Sequence, residues 1–147
     1  MPTSKILDGI DKSYERLQDD RAHIERLTIH GHAPEVLFIA CSDARIPVAL
    51  VAQSDPGALF VTRTVANIVP PYGTGQMGTA AVIEYAIRQL RVQHIVIVGH
   101  TDCGGIRALD EVPDWDRMPH IARWIEHARP AKTKIDASGL PEEERHL

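Results

Sequence analysis

The stretches VLFIAC (residues 36–41) and HIVIVGHTDC (residues 94–103) decide the fold, because each is an apolar run that leads to a cysteine. Their continuous apolar character predicts two strands that are buried on both faces, as in a parallel sheet between helices. Ligands of open α/β sheets gather beyond the carboxyl ends of the strands, so Cys41 and Cys103 are expected to meet at one site. His100 lies three residues before Cys103. The three residues are therefore candidate zinc ligands.

The composition is typical of one globular domain. The 147 residues are 44% hydrophobic and 24% charged, enough to bury roughly two thirds of the surface of the unfolded chain. A net charge of -4 without a run of like charges gives no electrostatic reason to expect nucleic acid or an anionic membrane as a partner. We find no signal-peptide or membrane-span pattern and expect a cytoplasmic protein. In that compartment, two cysteines are more typical of metal ligands or free thiols than of a disulfide.

Hydrophobic periodicity and turn residues predict an α/β fold, with a parallel β-sheet core flanked by helices and an N-terminal helical arm. Apolar residues recur at helical spacing from Ser4 to about Ile29, which predicts one long amphipathic helix or two. We expect a single domain with this arm at 1–33, an α/β core at 34–129 and a polar tail at 130–147 without a compact element at its end. The further predicted elements are strand 35–40, a short helix within 46–53, strand 58–62, helix 79–90, strand 94–98, a helix that starts within 106–109 and helix 118–128.

The candidate ligands are two sulfurs and one imidazole, one fewer than a closed structural zinc site requires. A site that is open to water, or closed by a carboxylate, therefore fits better than a zinc finger. Cys103 is expected at the N-terminus of a helix, where N–H groups and the helix dipole favour a thiolate. The alternative is a pair of buried thiols without metal, since free cysteine is among the most buried residue types.

The run CSDAR (residues 41–45) places a carboxylate and a guanidinium two residues apart, next to the first candidate ligand. Arg45 can hold Asp43 in a bidentate pair and keep it ionised. Asp43 is then either an acceptor for a group on the metal or, when released, a fourth ligand. The alternative is an ordinary surface ion pair. A further arginine, Arg63, is either an anion-site residue or a structural ion-pair partner.

The chain resembles the β-class carbonic anhydrases over about Glu35 to Leu109. The resemblance is carried by CSDAR, DPGALFVTRTVANIVPPYG, IEYAIRQL and IVIVGHTDCGGIRAL, which occur in the family's order. The segment MPHIARWIEHAR extends it to about Arg129, and GTGQMGTAAVIEYA is similar to the plant and bacterial branch. The combination of C-x-D-x-R with H-x-x-C is highly specific for this family.

The resemblance implies a role for each motif residue. Cys41, His100 and Cys103 match the ligands of one Zn2+ per chain, and Asp43 with Arg45 matches the catalytic dyad. The implied activity is that of a carbonate dehydratase, in which a zinc-bound hydroxide attacks CO2 and gives bicarbonate and a proton. Asp43 would orient the hydroxide in the family's open form, and would itself be the fourth ligand in the closed form that is activated at high pH.

The resemblance also implies a homodimer or a larger homo-oligomer, because the N-terminal helices of this family embrace the partner. Gly104 is a candidate substrate-binding residue, although Gly104 and Gly105 equally fit the tight geometry of a helix start. Two alternatives stay open: hydrolysis of COS or CS2 on the same scaffold, and a zinc-stabilised chain without activity. The family normally continues with another strand and helices, whereas this sequence stops at Leu147. An exposed sheet edge would then favour aggregation.

Overall fold

The fold is centred on a parallel sheet of three strands. The computed structural model describes residues 3–18, 20–75, 77–110, 116–141 and 144. The sheet order is β2-β1-β3, with parallel pairing on both sides of β1. The strands are β1 (Val36–Cys41), β2 (Leu59–Thr64) and β3 (His94–Val98). The predicted α/β class and the parallel sheet are confirmed.

Helices precede the sheet, connect its strands and follow it. The arm consists of two helices rather than one. A π-helical turn, Tyr85–Leu90, continues the crossover helix α4 up to the residues before β3. The α-helices are α1 (Thr3–Arg16), α2 (Arg21–His30), α3 (Val48–Ala52), α4 (Met77–Glu84), α5 (Gly104–Arg107), α6 (Pro119–Ile125) and α7 (Arg129–Asp136). Among the described residues, no helix combines the length and the apolar character needed to cross a bilayer.

The central strand β1 is buried on both faces, as its apolar run predicts. Leu37 and Ile39 point to one face, where they pack with Ala86 of the π-helical turn. Phe38 points to the other face and packs with Val48 of α3. Successive side chains of a strand alternate between faces, so a continuous apolar run is buried throughout only where helices cover both sides. This packing fixes β1 as the rigid centre from which the site is built.

The prediction that the second apolar run is a buried strand is wrong. β3 pairs with β1 along one edge, and no described residue pairs with its other edge. Ile95 and Ile97 are 47% and 54% exposed, and Val96 on the opposite face is 38% exposed. A continuous apolar run shows that a strand could be buried on both faces. It does not show how much of the strand other elements of this chain cover. The described residues thus contain the exposed sheet edge expected from the sequence, and the aggregation that such an edge favours stays a prediction.

The start of the expected polar tail is helical. Helix α7 spans Arg129–Asp136, with a proline in its first turn, where the missing N–H costs nothing. Lys132 bonds to Asp136 one turn later and to Asp110, at 2.9 and 3.0 Å. Such pairs stabilise an exposed helix that has few apolar residues. The remainder of the tail at 142–143 and 145–147 lies outside the described residues.

The packing of β1 predicts that Leu37→Ala will lower the free energy of unfolding by about 3 kcal/mol, because it opens a cavity in the core. Leu50→Ala is the matched control, since Leu50 is 73% exposed on α3, and its effect should stay below about 0.5 kcal/mol. Urea unfolding followed by circular dichroism measures both values. Equal losses for the two variants would contradict the burial of β1.

Candidate metal centre

The sheet register brings the three candidate ligands together. Ala40 is aligned with Val98 across β1 and β3, so the two strands end side by side at their carboxyl ends. Cys41 is the last residue of β1, and the loop after β3 carries His100 and Cys103. One potential ligand atom of each of these residues lies within 4.8 Å of the other two. The predicted convergence of residues 62 positions apart is therefore observed.

The two sulfurs are spaced as ligands of one metal ion would be. Cys41 Sγ and Cys103 Sγ are 3.9 Å apart, and both cysteines are free. Two thiolates on a tetrahedral zinc ion, with Zn–S bonds of about 2.3 Å, lie about 3.8 Å apart. The observed separation fits that donor set and is far longer than a disulfide bond of about 2.05 Å.

The imidazole of His100 has a ring nitrogen without a hydrogen-bond partner near the two sulfurs. Nδ1 lies 2.8 Å from the carbonyl oxygen of Thr101, which fixes the tautomer with the proton on Nδ1. Nε2 is buried and has no hydrogen-bond partner, and only 9% of the side chain is exposed. A buried polar atom without a partner costs about 1–3 kcal/mol. A metal ion bound at Nε2 would remove this cost, so the residues present fit zinc.

The backbone favours negative charge on the sulfurs. Burial alone would raise the pKa of the Cys41 thiol, but the backbone N–H groups of Asp43 and Ala66, together with the nearby imidazole of His100, lower it overall. Burial raises the pKa of Cys103, only partly opposed by the N–H groups of Ile106 and Gly105, the second of which lies in the first turn of α5. The surroundings therefore favour the thiolate form at Cys41 more than at Cys103, and a bound cation would favour it at both.

Asp43 and Arg45 form the bidentate pair that the motif predicts. Arg45 Nε donates to Asp43 Oδ1 at 2.9 Å, and Arg45 Nη2 donates to Oδ2 at 2.8 Å. The backbone N–H of Arg45 also donates to Oδ1, at 2.8 Å. These bonds hold the pKa of Asp43 well below its usual range. Asp43 Oδ2 lies 3.8 Å from His100 Nε2, so the carboxylate borders the candidate ligands without joining them.

Sequence reasoning missed a second group of charged residues around this pair. Arg45 Nη2 donates to the carbonyl oxygen of Asp102 at 3.0 Å, and Arg107 Nη1 donates to Asp102 Oδ1 at 2.6 Å. Asp102 has a φ of +51°, a conformation that Asp and Asn tolerate better than most residues. The position of Asp102 between His100 and Cys103 is the sequence signal that could have indicated its place at the site.

Arg63 also has a role that the sequence did not reveal. Its guanidinium donates to the carbonyl oxygens of Cys41 and Asp43, at 2.9 and 2.5 Å. Within the described part of the chain Arg63 has no carboxylate partner, so the interpretation as an ion-pair residue is wrong. The side chain binds backbone instead.

The two glycines after Cys103 differ in their surroundings. A Cβ atom at Gly105 would lie 2.9 Å from side-chain atoms of Val65 and Ala66, so close packing at the start of α5 accounts for this glycine. A Cβ atom at Gly104 would meet nothing within 4 Å. The space beside Gly104 is therefore open, and a role in substrate binding stays a prediction.

Comparisons with known proteins agree with the site. The carbonic anhydrase family model matches residues 36–146. The chain is 39% identical over 132 residues to the carbonic anhydrase of Pseudomonas aeruginosa, with 90% of this chain and 60% of that protein covered. It is 38% identical over 128 residues to the chloroplastic beta carbonic anhydrase 5 of Arabidopsis thaliana, with coverages of 85% and 42%.

Solved structures show the same relationship. The β-carbonic anhydrase CcaA matches with a TM-score of 0.86 at 32% identity, over 97% of this chain and 71% of that one. The present chain spans three fifths or less of the length of the curated relatives named above. The family match covers both strand ends and every residue of the candidate site, and on these grounds the chain belongs to the β-class carbonic anhydrases.

Proposed function

We propose that this protein catalyses the reversible hydration of CO2 to bicarbonate and a proton, with Zn2+ held by Cys41, His100 and Cys103. The observation that carries the proposal is the buried, unpartnered Nε2 of His100, which lies in one cluster with both sulfurs. Membership of the family supports the same activity. A bound zinc ion is a Lewis acid that brings the pKa of a water molecule towards 7 and so supplies a nucleophile at neutral pH.

Asp43 is proposed to orient that nucleophile. Its Oδ1 already accepts two hydrogen bonds, whereas Oδ2 accepts one and is the oxygen nearer to His100. A carboxylate oxygen has room for a second bond, so Oδ2 can accept a hydrogen bond from the attacking water and direct its lone pair towards CO2. Arg45 keeps the carboxylate ionised, which ensures that Asp43 accepts the bond. The open space beside Gly104 is the proposed place of the substrate.

A homo-oligomer is also proposed, since α1 exposes a row of apolar side chains. Ile6, Ile10 and Tyr14 recur every four residues along the helix, and each is about half exposed or more. Such a stripe on an otherwise polar helix is typical of a surface that packs against another element. Two β-carbonic anhydrases of Sordaria macrospora are described as tetrameric. A second copy of this chain is the proposed partner of the stripe, and a cytoplasmic location stays a prediction.

His100→Ala is expected to abolish stoichiometric zinc binding, because it removes one of three ligands. The wild-type protein should bind about one zinc ion per chain. His94→Ala is the matched control, since His94 is exposed at the start of β3, and it should bind as much zinc as the wild type. Metal analysis of the purified, dialysed proteins gives the result. Equal zinc content in both variants would contradict the ligand assignment.

Asp43→Asn is expected to lower the rate of CO2 hydration by about 100-fold or more while zinc content is kept, because an amide cannot replace an ionised acceptor. Asp55→Asn, in the exposed turn before β2, is the matched control and should hydrate CO2 like the wild type. Stopped-flow hydration assays, with COS and CS2 as further substrates, measure these rates. Hydration by zinc-loaded Asp43→Asn at the wild-type rate would refute the role of Asp43. Turnover of COS or CS2 without CO2 hydration would refute the proposed activity.

The same assay should show activity from about pH 7 upwards. The pKa of Asp43 is depressed by Arg45, so lowering the pH from about 9 to about 7 leaves the carboxylate ionised and paired. Activity should therefore follow the ionisation of the attacking water. If hydration begins only above about pH 8 and then rises steeply, Asp43 is a fourth ligand and the proposed orientation is wrong.

Ile10→Asp should shift the oligomer towards a monomer, because it places a carboxylate in the apolar stripe of α1. Lys12→Asp on the same helix, a residue that lies outside the stripe, should leave the oligomer intact. Light scattering after size-exclusion chromatography gives the mass of each. A monomeric wild-type protein, or equal masses for all three proteins, would contradict the proposed interface.

A further inference from the structure

The side chain of Arg63 joins β2 to the turn that carries the candidate site. Arg63 belongs to β2 and is aligned with Ala40 in the neighbouring strand. Its guanidinium reaches past the end of β1, where Nε donates to the carbonyl oxygen of Cys41 at 2.9 Å and Nη2 donates to that of Asp43 at 2.5 Å. One rigid, planar group therefore binds the backbone on both sides of Ser42.

This turn needs support because the sheet gives it little. The pairing between β1 and β3 ends at Ala40, one residue before Cys41. On the side of β2, the N–H of Ser42 donates to the carbonyl oxygen of Thr64 at 2.8 Å. Cys41 is the last residue of β1 in register with β2, opposite Thr64, and beyond it the backbone leaves the sheet. Arg63 donates to the carbonyl oxygens of Cys41 and Asp43, and the second of these also accepts from the N–H of Ile46 at 3.1 Å.

We propose that Arg63 is a positioning residue that fixes Cys41 Sγ and the Asp43 carboxylate relative to each other for metal binding and hydration. A guanidinium presents its N–H groups in a fixed planar fork, so two bonds to it also fix the angle between the carbonyl groups. Among the described residues, the hydrogen bonds of Arg63 to the site go to backbone oxygens, so Arg63 acts on geometry. Both links rest on the proposed function: the link to metal binding rests on its ligand assignment, and the link to hydration rests on its activity.

Replacing the donors of Arg63 tests this proposal. Arg63→Met keeps the apolar stem and removes all N–H groups, whereas Arg63→Lys keeps charge and donors without the planar fork. Arg123→Met is the matched control, because Arg123 lies beside the same surface groove as Arg63 and has no hydrogen bond or ion pair among the described residues. The full-length proteins are compared by thermal unfolding, by zinc affinity in competition with a chelator, by the visible spectrum of the cobalt-loaded protein and by CO2 hydration.

We expect Arg63→Met to lower zinc affinity by about 10-fold to 100-fold, as residues that support metal ligands typically do, and to alter the cobalt spectrum. Arg63→Lys should lie between Arg63→Met and the wild type, and Arg123→Met should match the wild type within about twofold. The proposal is overturned if Arg63→Met has wild-type zinc affinity and spectrum, or if Arg63→Lys loses as much as Arg63→Met.

If Arg63→Met does not fold, Arg63→Lys decides alone: a zinc affinity below that of the wild type, together with an altered cobalt spectrum, supports the proposal, and wild-type affinity overturns it. A wild-type protein that binds zinc without hydrating CO2 would refute the proposed function. The affinities and spectra of the variants would still decide the role of Arg63.

Discussion

The site depends on the parallel pairing of β1 with both of its neighbours. Parallel strands end at the same edge of a sheet, so the register that aligns Ala40 with Val98 also brings Cys41 close to the loop after β3. A slip by one residue would turn the side chains of β1 to the opposite faces, and Leu37 and Ile39 would leave their contacts with Ala86. The core that fixes the register therefore also fixes the distance between the sulfurs.

Burial and charge act against each other at this edge. Two thiolates 3.9 Å apart repel, and burial penalises both charges. The backbone N–H groups near each sulfur reduce that penalty, but they lower the net pKa of Cys41 only. A divalent cation would supply the positive charge that both sulfurs lack and would favour the thiolate form of each cysteine. This arrangement explains why a buried pair of thiols and an unpartnered imidazole nitrogen can be tolerated in one place.

Much of this arrangement could be predicted from the sequence, and the reasons for the failures are physical. Apolar runs and turn residues located the three strands, because a short run of β-branched and aromatic residues between turn residues is a strong local signature of a strand, whether or not the strand is buried. The exposure of β3 could not be predicted, since burial depends on which elements cover a strand. Helix α7 was missed because its sequence is polar and none of its residues is buried, so it lacks the apolar pattern of a core helix. Arg63 was misjudged because its partners are backbone oxygens, which no sequence motif marks.

The contacts of Arg45 are the reason to propose Asp43 as an acceptor rather than as a ligand. For Asp43 to reach the metal, Arg45 would have to give up two hydrogen bonds to the carboxylate, each strengthened by charge. Arg45 is also held by the carbonyl oxygen of Asp102, whose carboxylate is bound in turn by Arg107. The guanidinium thus connects the turn after β1 with the loop that carries the candidate ligands His100 and Cys103. If Asp43 were released, Arg45 would stay in place without its strongest hydrogen-bond partner. The loss of these bonds opposes the closed arrangement, in which Asp43 is a fourth ligand.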